Sequence, residues 1–405
     1  MALFRALTHR SFALLWVGQT ISRVGDHLYQ VALAWWVLEK TGSALAMGAV
    51  LTFSMVPMLL FVLIGGVAVD RLPRARLLLI SDLGRGIAAA GVAWLALSGR
   101  LEIWHIYGAS LLFGLADAFF QPAYLALVPE LTPVSALTSA NSLTSLSSQA
   151  GRIMGPALGA ALVGLGGATL AFAGNALSFF AAALLVLPLL RLSAAPAPRP
   201  SQGMGGIGRD LREGLAVVVG SPILWVTILL FSLTNITLAA PFAVTLPFLV
   251  KDHLHGDVRT LGLLYAVFPI GYVLGGLWMG RYPRLRWRGL VSYGGAIVAG
   301  LGLAVLGANV PLAVVLLAAL INGAALEVFG LIWTNILQTV VPGDKLGRVA
   351  SFDMLGSFML LPIGYGLTGW ATEAVGPALV FIAGGLLTAL IVALGLLHPA
   401  VRRFD

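Results

Sequence analysis

Twelve runs of 20 or more mostly apolar residues, near 12-38, 43-69, 77-98, 103-127, 141-165, 168-190, 222-250, 260-280, 289-308, 312-337, 350-372 and 376-398, leave this chain few ways to fold. At about 1.5 Å of rise per residue, each run is long enough to cross a bilayer core of about 30 Å as a helix. Backbone amides in hydrocarbon must be satisfied within the segment, so the runs predict an all-α integral membrane protein with twelve transmembrane helices. Composition agrees: 59% of the 405 residues are hydrophobic and 10% are charged, more apolar surface than a soluble core needs. Arg5 and Arg10 precede the first run as they would in a signal peptide. That run continues to about Leu38 and contains Arg23, Asp26 and His27, so it is read as an uncleaved first span.

The formal charge of +8 does not point to nucleic acid, because the basic residues sit in short loops between apolar runs and not on one domain. With a cytoplasmic N-terminus, 17 of the 24 Lys and Arg fall on the cytoplasmic side, 4 outside (Lys40, Arg100, Lys251, Arg259) and 3 within spans (Arg23, Arg85, Arg152). Both termini are therefore expected in the cytoplasm. There is no cysteine, hence no disulfide, thiol chemistry or Cys-held metal. Metallohydrolase, serine-hydrolase and phosphate-loop motifs are absent, which excludes an ATP-driven pump and argues against an enzyme. No cofactor or metal is expected.

The chain is duplicated. Arg71-x-Pro73-Arg74-x-Arg76 returns 210 residues later as Arg281-x-Pro283-Arg284-x-Arg286, each copy preceded by a long apolar run and a shared glycine, Gly66 or Gly276. Val128-Pro129 and Val341-Pro342 form a second pair. The Pro- and Gly-rich stretch 191-221, with a short amphipathic piece holding Arg209, Asp210, Arg212 and Glu213, reads as a cytoplasmic linker between six-helix, pseudo-symmetric halves at 1-190 and 222-405. A duplicated polytopic chain is first of all a transporter candidate.

Charges inside spans cost free energy unless they face a partner or water, so they nominate the working site. Counting from the cytoplasmic ends places Asp82 and Asp353 shallow, Arg85 and Asp117 at similar intermediate depth, and Asp26, Arg152 and Glu327 near the midplane. Arg23 and Asp26 lie three apart, so an internal ion pair is one reading of both. Glu327 has no basic residue within a turn and must find a partner across the bundle, meet water or hold a proton, the last being what proton coupling requires. His27 could relay protons; His105, near the outer end of its span, reads as interfacial. The row Gly151, Gly155, Gly159 and Gly164 lets helices approach closely, which by itself says packing.

Over nearly its whole length the chain resembles the major facilitator superfamily. Gly66-x-x-x-Asp70-Arg71-x-Pro73-Arg74-x-Arg76 is similar to that superfamily's loop motif between spans two and three, with proline where glycine is usual. The resemblance implies that Asp70, Arg71 and Arg74, with Gly66 and Arg76 of the same motif, belong to a cytoplasmic conformational switch. Gly280 stands where the second copy would carry the acid. Gly151-x-x-x-Gly155-Pro156-x-x-Gly159 resembles the antiporter motif of drug/proton exporters. Ser22-Arg23-Val24-Gly25-Asp26, Phe120-Gln121-Pro122-Ala123, Ala140-Asn141-Ser142-Leu143 and Leu346-Gly347-Arg348-Val349 resemble the branch holding macrolide-efflux and enterobactin-exporter-like proteins.

In that superfamily spans one, four, seven and ten line the central cavity. The resemblance nominates Asp26, Asp117, Asn235 and Glu327 there, with Arg152 from span five. Asp26, Glu327 and Asp117 are the proton-coupling candidates. Asp26, Arg23, Arg152, Asn235, Glu327 and the aromatic residues Phe119, Tyr124, Phe231 and Trp333 are the substrate-cavity candidates. The expected function is secondary, proton-coupled export of hydrophobic or amphipathic, often cationic small molecules by alternating access. The alternatives are a dedicated exporter of a metabolite, siderophore or lipid and, more distantly, a non-transporting membrane partner. The expected partners are small-molecule substrate, protons and membrane lipid; the expected setting is a bacterial-type inner membrane, multi-pass, as a monomer.

Overall fold

A computed structural model describes residues 2–191, 204–281, 287–342 and 345–402, and every regular element among them is helical. The long elements are α1 (Arg10–Thr41), α2 (Ala44–Arg71), α3 (Arg74–Leu97), α4 (Ile103–Glu130), α5 (Leu137–Val186), α6 (Met204–Gly220), α7 (Pro222–Thr234), α8 (Val258–Met279), α9 (Arg288–Leu306), α10 (Leu312–Val340), α11 (Leu346–Phe358), α12 (Leu361–Val375) and α13 (Pro377–Gly395). Among the described residues ten segments are long and apolar enough to cross a membrane. One of them, 134–191, holds two spans, and α1 with its buried polar groups is the twelfth.

The division inside α5 is made by glycine. Gly166 (φ −155°, ψ 26°) and Gly167 (φ 73°, ψ −179°) leave the helical region, and Gly167 adopts a backbone that a side chain would strain. The two arms, 137–165 and 168–186, both pack on α1, and small residues permit it. A β-carbon at Gly159 would come within 2.6 Å of the Leu28 carbonyl oxygen, and one at Gly155 within 3.0 Å of that of Val24. From the second arm, Ser178 Cβ lies 2.7 Å from where a Gly25 side chain would begin. Close backbone approach of this kind replaces the hydrophobic drive that lipid does not supply between helices.

Helix ends are satisfied locally. Gly42 closes α1 in the left-handed conformation (φ 61°), its N–H donating to the Leu38 carbonyl at 3.0 Å. Glu102 and His105 form a capping box at the start of α4, where the Glu102 N–H donates to His105 Nδ1 at 3.1 Å, and Lys40 bridges to Glu102 at 3.1 Å. His105 thus caps a helix at a membrane end. Beyond α7 the chain stays helical to His253 through two π-turns, Asn235–Ala239 and Leu249–His253. Pro241 lacks the N–H that an α-turn would aim at Thr237, and the widened turn just before it accommodates that loss.

The chain forms two compact units. One comprises Met1–Gly42, Ala49–Pro200 and Asp257–Ala266, with Phe12, Leu15, Leu78, Leu127 and Leu143 in its core. The other comprises Ser43–Gly48, Ser201–Gly256 and Val267–Asp405, with Leu224, Tyr293, Phe329 and Ile332 at its centre. Large apolar side chains such as Leu60, Leu97, Leu165 and Leu397 remain exposed, as a lipid-facing surface requires.

Candidate functional site

In the first unit, α1, α3 and α4 bring four charges together. Asp82 and Arg85 lie three residues apart on α3, and Arg85 Nη2 meets Asp82 Oδ1 at 2.7 Å. The other Asp82 oxygen accepts from Gln19 Nε2 at 2.9 Å. Arg85 Nη1 turns to α4 and α1, lying 3.0 Å from Asp117 Oδ1 and 4.0 Å from Asp26 Oδ2. The guanidinium packs against the rings of Phe120 and Phe179, at 4.3 and 4.6 Å from their centroids.

Exposure divides the acids. The Asp82 side chain is 0% exposed, whereas those of Asp26 and Asp117 are 42% and 34% exposed. Asp82 and Arg85 are thus an internal pair, and Asp26 and Asp117 are the two carboxylates that reach open space.

From the residues alone Asp26 and Asp117 are proton-coupling candidates, Arg85 and Asp82 are marked only as charges inside spans, and Gln19 is unmarked. The available signal was the spacing of Asp82 and Arg85, together with the similar depth of Arg85 and Asp117. Arg23 and Asp26 have the same spacing, yet Asp26 takes Arg85. Long helical side chains lean toward the N-terminus, which carries Arg85 back over Asp82 and carries Arg23 away from Asp26. Arg23 Nη1 donates to the Thr144 carbonyl at 2.9 Å, and its guanidinium lies 4.9 Å from the centroid of the Tyr124 ring. Tyr124 is buried, its hydroxyl 3.2 Å from Thr144 Oγ1. Phe119 is half-buried and packs where α4 meets Gly65 of α2; Arg152 is exposed; His27 Nδ1 lies 3.4 Å from Gln30 Oε1.

In the second unit Glu327 is half-buried on α10, its Oε1 3.6 Å from where a β-carbon on Gly276 would stand. Phe231 stacks on Phe329 at 3.9 Å, Trp333 Nε1 donates to Asp353 Oδ2 at 3.2 Å, and Asn235 Nδ2 donates to the Ser357 carbonyl at 2.7 Å. Asn235 is therefore engaged in an interhelical hydrogen bond. Asp117 and Glu327 stand 210 residues apart, the interval of the two basic hinges. Their surroundings repeat as well: a side chain on Gly65 would strike α4 at Ala118, and one on Gly275 would strike α10 at Ala324. The positions matching Asp82 and Arg85 at that interval are Ser292 and Gly295, so the Asp82–Arg85 pair has no counterpart there.

At the basic hinge, Arg74 Nη1 bridges to Glu130 Oε2 at 3.0 Å and donates to the Ala126 carbonyl at 3.3 Å, tying the start of α3 to the end of α4. Arg71 and Arg76 are exposed. A side chain on Gly66 would meet nothing within 4 Å. The Asp70 side chain and residues 282–286 of the second hinge lie outside the described residues. Gly151, Gly155 and Gly159 serve the α1 contact, with Pro156 buried among them; Pro156 and Ala160 also receive Gly262 of α8.

Twelve apolar helical spans, an internal repeat and a charge cluster within the spans define a polytopic membrane carrier. Residues 15–358 match the Major Facilitator Superfamily model, and the chain belongs to that superfamily of transporters. It is 29% identical to the multidrug efflux pump Tap of Mycolicibacterium fortuitum over 389 residues, covering 94% of each chain. It is 24% identical to macrolide efflux protein A of Streptococcus pyogenes, covering 97% of each, and 28% identical to the enterobactin exporter EntS of Citrobacter koseri, covering 95% of this chain and 92% of that one. Among solved structures, a bacterial homologue of the iron transporter ferroportin in its inward-facing state superposes with a TM-score of 0.74 at 17% identity, over 95% of this chain and 98% of that one. At this identity the likeness speaks for the fold alone.

Proposed function

We propose that the chain is a proton-coupled exporter of hydrophobic or amphipathic cationic small molecules, working by alternating access of two halves, 1–190 and 222–405, joined by the linker 191–221. Export is supported by the three relatives, each named for outward transport. The observation that carries the coupling is that Asp26 and Asp117 converge on a single nitrogen of Arg85, whose other terminal nitrogen is committed to Asp82. One positive charge faces three carboxylates, so full ionisation leaves two uncompensated negative charges in a low-dielectric site. Protons or a cationic cargo relieve that cost.

Asp26, Asp117 and, in the second unit, Glu327 are the groups that take up and release protons. Phe231 and Trp333 offer aromatic surface to an amphipathic cargo. The hinge residues Gly66, Asp70, Arg71, Arg74 and Arg76 act in the conformational switch, and the glycine row Gly151, Gly155 and Gly159 with Pro156 gives α1 a close seat against α5. The protein works as a monomer in an inner membrane with both termini in the cytoplasm. A membrane potential contributes about 2.3 kcal/mol per charge per 100 mV, enough for one net charge to drive a gradient of tens-fold.

The test is proton counterflow. Proteoliposomes with a trapped pH-sensitive dye are loaded with ethidium, and an imposed ethidium gradient should move protons the opposite way at a rate set by the protein. Ethidium flux with no proton movement would remove the coupling. Resemblance to an enterobactin exporter keeps one other reading in play, a dedicated metabolite or siderophore exporter. In that case enterobactin, not ethidium, would drive the counterflow.

A further inference from the structure

We infer that Arg85 is a fixed internal charge, anchored by Asp82 and Gln19, that sets the pH at which Asp26 and Asp117 release their protons. The inference deepens the proton-coupling reading above and rests on it.

Three features fix Arg85 in place. Asp82, fully buried, uses one oxygen on Arg85 Nη2 at 2.7 Å and the other on Gln19 Nε2 at 2.9 Å, so its orientation is set from both sides. The Phe120 and Phe179 rings both pack on the guanidinium, their centroids 4.3 and 4.6 Å from its central carbon. The Gln19 side chain belongs to a residue only 1% exposed and its Oε1 has no hydrogen-bond partner in the structure, so a fully buried acceptor is given up to hold the donor end on Asp82.

The consequence is electrostatic. An opposite charge at this range favours the ionised form of a carboxyl group and a like charge opposes it. Arg85 pulls Asp26 and Asp117 toward ionisation, and Asp82, by neutralising part of the Arg85 charge, pushes them back. Among the described residues, Arg23 and Tyr29 on α1 also couple with Asp26. Arg23 is directed at Thr144 and Tyr124, which leaves Arg85 as the cation in contact with both open carboxylates. Asp82 and Gln19 are positioning residues, acting on proton release through Arg85 without exchanging protons with cargo.

The two α3 charges must therefore have opposite effects when removed. Arg85→Gln should move the titration of the open carboxylates to higher pH and Asp82→Asn to lower pH, each by roughly one to three pH units. The readout is the infrared absorption of protonated carboxyl groups in the reconstituted full chain, followed across pH without cargo and assigned by its loss in Asp26→Asn and Asp117→Asn. Arg85→Lys, which keeps the charge, should return the midpoint toward the native value, where a purely packing role would leave Lys and Gln alike.

Shifts of the same sign in Arg85→Gln and Asp82→Asn, no shift in either, or no carboxyl signal assignable to Asp26 or Asp117 would overturn the inference. If Arg85→Gln does not fold, the sign in Asp82→Asn decides alone. Coupled transport with unshifted titrations counts against the role of Arg85 only. Opposite shifts without any proton-coupled flux count against the exporter reading only.

Discussion

The Asp82 carboxylate, with none of its surface exposed, holds the Arg85 guanidinium at 2.7 Å one helical turn along α3. Removing Arg85 leaves the buried Asp82 carboxylate without its counter-charge, and breaking a buried pair in this way costs about 3–5 kcal/mol. Arg85→Met should therefore lower thermal stability of the detergent-solubilised protein strongly. The double variant Asp82→Leu with Arg85→Met, which removes the buried acid as well, should lose less than Arg85→Met alone. Equal or greater loss in the double variant would mean that the pair stabilises through packing and not through mutual charge compensation.

The glycines of the fifth span are set by the approach of α1. A β-carbon at Gly159 would sit 2.6 Å from the Leu28 carbonyl oxygen and 2.9 Å from its Cα, both backbone atoms that cannot rotate away. Gly159→Ala should cost about 1–3 kcal/mol through overpacking. Gly66→Ala, with nothing within 4 Å, should leave the melting temperature unchanged. Because its site is open, any loss of transport in Gly66→Ala at native stability would report on the switch itself.

The bridge from Arg74 to Glu130 spans 3.0 Å with both side chains about four-fifths buried, at 22% and 23% exposed. A partly exposed pair of this kind contributes roughly 0.2–1 kcal/mol. Arg74→Glu should destabilise by more than loss of the pair, because two acids then face each other. Adding Glu130→Arg should recover most of that loss, measured as the coupling energy of a double-mutant cycle.

At the start of α8, Asp257 Oδ1 accepts from the backbone N–H of Thr260 at 3.1 Å and of Arg259 at 3.0 Å. The Thr260 hydrogen bond, first among these, holds the Asp257 carboxyl below the usual carboxylate range. A depressed folded value means that the stabilisation is present above the unfolded value, about 3.9, and is lost as pH falls through the folded one. Hydrogen exchange at the Thr260 amide should accelerate in Asp257→Ala at neutral pH. In the native chain the amide should lose protection only in strongly acidic solution.

Much of this was legible in the residues. Length and hydropathy of the apolar runs place the helices because hydrocarbon leaves the backbone no other solution, and the reversal between the fifth and sixth spans sits at Gly166 and Gly167, inside the gap between the runs ending at 165 and starting at 168. Asp26 and Asp117 were visible as costly charges. Arg85 as their shared partner was not, since which of several buried charges meet depends on helix rotation and side-chain lean, and spacing alone favoured Arg23. Gln19 carries no charge to mark it. Tyr124, aromatic and on a nominated helix, is buried among its neighbours, a distinction that depends on the helix face and not on the residue type.

The account stands on proton movement through Asp26 and Asp117. The most direct measurement is ethidium transport by reconstituted proteoliposomes under an imposed proton gradient, comparing the native chain with Asp26→Asn, Asp117→Asn and Glu327→Gln, with folding of each verified. Gradient-driven accumulation in the native chain that is abolished in Asp26→Asn or Asp117→Asn, while downhill ethidium movement persists, is the predicted result. Full gradient-driven accumulation in both of those variants would contradict it.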